Sequence, residues 1–183
     1  MPKTKTLNEH AVKSHGTRRA VVLRRLRELR EERRKHHTIV DTYWHLDAEG
    51  QARWNEVGDS FPESALDIPI PRCEAFPDAS GPIEVYFMLN YPLTDDVPQE
   101  ARESVIKAST VKDVLLEIRR VYEAIYAEDE RLGGPVKHPD SMLQNRGFGP
   151  WVWGHDLSDL AVEFIEFAWV SPTEAVANVF VGS

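Results

Sequence analysis

The strongest periodicity in the chain lies at residues 110–128. Val111, Val114, Leu115, Ile118, Val121, Tyr122 and Ile125 recur at three- and four-residue spacing, which places them on one face of a helix. Thr110 and Asp113 stand at the spacing of a capping box, with Asp in place of the usual Glu. Gly133-Gly134-Pro135 marks the stop. Lys112, Glu117, Arg120 and Glu123 belong to the polar side.

Three segments have strand character. Residues 83–89, IEVYFML, are apolar almost throughout, as an interior strand requires. Residues 38–46, TIVDTYWHL, alternate: Val40, Thr42, Trp44 and Leu46 fall on the more apolar side, and Ile39, Asp41, Tyr43 and His45 on the other. Residues 175–181, AVANVFV, form the last strand. Residues 160–170 satisfy two patterns. Leu157, Leu160, Ala161, Phe164 and Ala168 suit a helix capped by Asp156, whereas Phe164 to Val170 suit a buried strand. Pro98 stands at the first position of another expected helix; Val105 to Ala108 either finish it or form a short strand. Asp47 is placed to cap a short helix through Ala52, Trp54 and Val57. The proline-rich connection 58–82 is expected to lie over the core through Ile68, Ile70 and Phe76.

The N-terminal pattern is different. Residues 1–16 are polar and aperiodic and read as a flexible tail. Residues 17–37 read as a basic amphipathic helix capped by Thr17. Its Val22, Leu26 and Leu29 fall on one face with Leu23 beside them, while Arg18, Arg19, Arg24, Arg25, Arg27, Arg30, Arg33 and Arg34 occupy the rest.

Charge sharpens that division. The 183-residue chain has a formal net charge of −8, but residues 1–40 carry +8 and residues 41–183 carry −16. Such asymmetry fits an arm facing nucleic acid, an arm directed at an acidic partner, or contact between arm and body. The apolar fraction of 42% suits a folded globular chain, and no apolar run reaches the length of a membrane span. The N-terminus lacks the apolar run of a signal peptide. The single cysteine, Cys73, excludes an internal disulfide and is compatible with a reducing compartment. A cytoplasmic location is expected, or a nuclear one in a eukaryote.

The candidate chemistry is sparse. Arg18, Arg19, Arg24, Arg25, Arg33, Arg34 and Lys35 offer contacts to a partner's carboxylates or to phosphates, and phosphate binding would be salt-dependent. No second helix follows closely enough for a helix–turn–helix, so base reading is not supported. His36 and His37 are adjacent and diverge, and neither zinc-type histidine spacing nor a phosphate loop occurs. Cys73 lies outside any helix N-terminus that would activate its thiol. Trp151 and Trp153 flank one residue, so on an extended segment both indoles face one side, either closing an end of the core or forming a recognition platform with His155 and Asp156. Glu163 and Glu166 are the one carboxylate pair near that cluster.

These observations predict an α+β fold: a small mixed or antiparallel sheet packed on one main helix (110–128), with a basic N-terminal helical extension. The domain boundaries are 1–16 for the tail, 17–37 for the basic helix and 38–183 for a single α+β domain. The expected function is a non-enzymatic protein-interaction module with a protein partner, no cofactor and no metal, and scope for homo-oligomers. One alternative is nucleic-acid binding through residues 1–37. Another is a hydrolase whose site surrounds His155, Asp156 and Glu163.

Overall fold

In the segment after residue 82, apolar residues at alternate positions give strand, and the change to a 3.6-residue period after Ser109 gives helix. The computed structural model describes residues 35–46, 66–133 and 149–182. The elements run β1 (His37–His45), β2 (Ile83–Met88), α1 (Gln99–Arg102), β3 (Glu103–Ala108), α2 (Val111–Leu132), a 3₁₀ turn (Leu157–Asp159), β4 (Ala161–Ser171) and β5 (Glu174–Gly182). The expected tail 1–16, the expected basic helix as far as residue 34, the expected helix after Asp47 and residues 134–148 lie outside the described residues.

The strands form one five-stranded mixed sheet in the order β1-β4-β5-β2-β3. Only the β2–β5 pair is parallel; β1–β4, β2–β3 and β4–β5 are antiparallel. One face of the sheet packs on α2. Its inward residues include Val40, Trp44, Val85, Phe87, Val162, Ile165, Phe167, Trp169, Ala175 and Ala177, which meet the helix stripe from Val111 to Ile125 in a single core. Removing this much apolar surface from water is the main stabilising term.

Helix α2 begins with the expected capping box. The Asp113 N–H donates to Thr110 Oγ1 at 3.1 Å, and Asp113 Oδ2 accepts the N–H groups of Thr110 and Ser109 at 2.9 and 2.8 Å. Partial burial pushes the Asp113 pKa up, but these hydrogen bonds outweigh it and hold the carboxyl below its ordinary value. The helix runs one turn past residue 128 because Leu132 is still followed by Gly133, whose N–H bonds back to the Asp129 carbonyl.

Four expectations need correction. Pro98 precedes a helix of only one turn, and the chain turns at Glu103 into β3. Asp156 starts a single 3₁₀ turn rather than a helix, because residues 161–171 are committed to pairing with both β1 and β5. Ile68 is exposed, while Leu66, Ile70 and Cys73 carry the buried part of that connection. Finally, β1 opens at His37, with Lys35 and His36 in a short 3₁₀ turn before it.

In β1, Val40, Thr42, Trp44 and Leu46 are buried as the alternation requires. The register shifts between Asp41 and Trp44, and Tyr43 there has a φ of 42°, uncommon for a residue with a side chain. A bulge of this kind lets a strand absorb an extra residue and keep its apolar set inward. Thr42 Oγ1 donates to the Val162 carbonyl at 2.5 Å, which satisfies its buried hydroxyl.

Candidate functional site

The C-terminal half of α2 positions a loop that displays large aromatic side chains. Asp129 continues the apolar stripe four residues after Ile125 and is 1% exposed. A buried carboxylate needs donors, and it has two: the Trp151 N–H at 2.6 Å and the Gly149 N–H at 3.1 Å. Gly149 sits so close that an added Cβ would lie 2.2 Å from Asp129 Oδ1.

A second strip of chain, after β2, completes the ledge. Leu93 and Val152 form an antiparallel bridge. The Thr94 N–H donates to the Trp151 carbonyl, and the Trp153 N–H to the Pro92 carbonyl, each at 2.9 Å. The Thr94 hydroxyl donates to the Pro150 carbonyl at 2.7 Å. From below, the Arg102 guanidinium donates to the carbonyls of Thr94 and Val97 at 2.7 and 2.6 Å. The Tyr122 hydroxyl donates to the Tyr91 carbonyl at 2.5 Å, and the Tyr126 hydroxyl to the His155 carbonyl at 3.0 Å. Burial pushes the Tyr122 pKa far above the normal phenol value, so it remains a donor.

The backbone on both sides of the ledge is therefore fixed from the core. Val152 turns inward and is buried, Trp151 packs half-buried at the core margin, and Trp153 is 71% exposed. This corrects the expectation that the two indoles close one end of the core. The Leu93–Val152 bridge gives that place to Val152. Tyr91 is 43% exposed, and its hydroxyl lies 2.9 Å from His155 Nε2. The structure thus brings Trp151, Trp153 and His155 together with Tyr91. Asp156 stands beside them at the head of the 3₁₀ turn, where its N–H donates to Asp159 Oδ2 at 2.9 Å.

The carboxylate pair has separate partners. Glu166 Oε1 lies 2.6 Å from His37 Nδ1, and Asn178 Nδ2 donates to Glu166 Oε2 at 2.9 Å. Glu163 lies against Gly182 on the neighbouring strand. His36 packs edge-on against Phe76, so the two adjacent histidines diverge. Among the described residues no group of three or more His, Cys, Asp or Glu is placed to hold a metal ion. Arg18, Arg19, Arg24, Arg25, Arg33 and Arg34 lie outside the described residues. Lys35 is exposed, and its carbonyl accepts the Ala75 N–H at 3.0 Å. Among the described residues no helix is long and apolar enough to cross a membrane.

Sequence reasoning missed Tyr91, Arg102 and Asp129. Asp129 alone carried a signal: a lone acid continuing an apolar helix stripe must be buried against donors. Comparison of the chain with protein-family models, curated proteins and solved structures finds no match.

Proposed function

We propose that this protein is a non-enzymatic, intracellular protein-interaction module that recognises a protein partner through the Tyr91–Trp153–His155 ledge. The observation that carries this reading is an indole 71% exposed on a backbone held by buried groups. A large side chain kept in water offers an apolar anchor, and fixing its loop beforehand lowers the entropy lost on binding. A tyrosine hydroxyl at the His155 ring and another at its carbonyl help to hold the shape of the loop. The N-terminal basic segment is read as a helical extension that ends before Lys35.

The test compares the proteins that co-purify with the full chain and with Trp153→Ala from the native host. The substitution removes no core side chain, so the melting temperature stays within about 2 °C of the parent, as for a surface change. A specific partner is lost with Trp153→Ala and retained with Leu116→Ala, a change at another exposed apolar residue. A partner set unaffected by Trp153→Ala contradicts the assignment.

A further inference from the structure

The sheet ends in β1 on one side and in β3 on the other. The two edges differ. The register of β1 shifts between Asp41 and Trp44, and a bulge of this kind spoils an edge for pairing. β3 runs opposite β2 from Ile83↔Ala108 to Met88↔Glu103 with no shift. Bonds at its two ends show which way its backbone groups point. The Leu89 N–H donates to the Arg102 carbonyl at 2.9 Å, so Arg102 faces the β2 side. Successive residues of an antiparallel strand alternate. Ser104, Ile106 and Ala108 therefore also bond toward β2, and Glu103, Val105 and Lys107 direct their N–H and C=O groups to the outer edge. The far end agrees: the Ser109 carbonyl, next in that row, accepts the Ile70 N–H at 3.2 Å, and Pro69 bridges Thr110. Among the described residues no strand pairs with this edge between Glu103 and Lys107.

The side chains of the same three residues share the sheet face turned away from α2, because Ile106 takes the core side with its partner Val85. Along the edge they read acid, apolar, base. Lys107 is exposed, and Glu103 and Val105 are half-buried. Reversed, that order is complementary to itself. If two copies of β3 pair antiparallel about Val105, Glu103 of each stands opposite Lys107 of the partner subunit. All three residues then engage, in about six backbone hydrogen bonds. A slip of two residues either way sets Val105 against a charge and separates the opposite charges. Glu103 accepts a hydrogen bond from Gln99 in its own chain, and an ionised carboxylate has the acceptor capacity to take a lysine as well.

We propose that β3 is a dimerisation edge: a second copy of this chain adds its own β3 antiparallel, in register about Val105, and joins two five-stranded sheets into one. The contact is isologous, so it closes as a dimer and does not propagate. Backbone pairing supplies the adhesion, and the Glu103–Lys107 charge order selects the register. The inference stands on β3 alone and is separate from the ledge.

The test is the oligomeric state of the full chain, read by sedimentation equilibrium across the micromolar range. The parent is expected to show a monomer–dimer equilibrium. Val105→Pro removes an N–H that points away from β2, a change that an edge strand tolerates. It should raise the dissociation constant of the dimer roughly tenfold or more, since about two hydrogen bonds are lost per dimer. Glu103→Lys alone and Lys107→Glu alone each set like charges opposite one another and should also weaken the dimer. Mixing these two variants should restore it, because each charge then meets its opposite. A parent that stays monomeric across this range overturns the proposal. So does a dimer that survives in Val105→Pro with native circular dichroism, which would place the contact elsewhere. If Val105→Pro loses its fold, the charge variants decide: a mixture that associates no more tightly than either variant alone overturns the proposal.

Discussion

Asp129 organises the ledge more than any other single residue. Its carboxylate is buried and holds two loop N–H groups. Replacing it with Ala strands both donors, and an unsatisfied buried donor costs about 1–3 kcal/mol. Gly149→Ala tests the same contact from the other side. A methyl group placed 2.2 Å from Asp129 Oδ1 and 2.3 Å from the Asp129 carbonyl must displace the carboxylate or the loop, at a cost of about 1–3 kcal/mol by analogy with overpacked sites. Chemical denaturation of both variants checks these values. A melt of Gly149→Ala indistinguishable from the parent would mean that the loop is not held at this distance.

Helix α2 is where sequence and structure agree most closely. Every residue of the stripe from Val111 to Ile125 is buried, because seven apolar residues at helical spacing have one way of leaving water together. Ile118→Ala should therefore cost about 2–4 kcal/mol. Arg120→Ala should cost no more than about 1 kcal/mol, since the Arg120 side chain is 64% exposed and an ion pair open to water on one side is worth little. Equal costs would mean that the buried face has been misassigned. The cap adds a pH dependence. Hydrogen bonds hold the folded-state pKa of Asp113 below its unfolded value, so the unfolded chain takes the proton first. The cap's contribution is complete above the ordinary aspartate range near pH 4 and is lost as pH falls through the lower, folded value. Thr110→Ala should weaken the helix by about 0.5–2 kcal/mol, and Asp113→Asn should flatten the acid side of the stability profile. An unchanged acid limb in Asp113→Asn would refute this role of the cap.

Other elements were less legible for identifiable reasons. Residues 160–170 carry apolar residues at both periods, and only pairing on two sides decides for β4. The turn after Pro98 has a good start signal, but β3 competes for the residues that would extend it. At the ledge, local sequence placed Trp151 and Trp153 on an extended segment. Their unequal exposure comes from a bridge to Leu93, nearly sixty positions away, and no local pattern encodes that pairing. Tyr91 was invisible for the same reason.

At the scale of the whole molecule, charge is divided between an arm of +8 and a remainder of −16, and the outward face of the sheet carries five of those acids at strand positions. A purely electrostatic arm would gain nothing from the Val22–Leu26–Leu29 stripe, whereas an arm whose arginines are shielded by the acidic remainder of the chain would use both. The most direct measurement of this account is a salt titration of mixed-sequence DNA and RNA binding by the full chain and by Leu26→Asp. The account predicts no binding by the parent at physiological salt. It predicts binding by Leu26→Asp at low salt only, falling steeply as salt rises because phosphate contact is a counterion-release process. Micromolar binding by the parent at physiological salt would contradict it and assign the arm to nucleic acid.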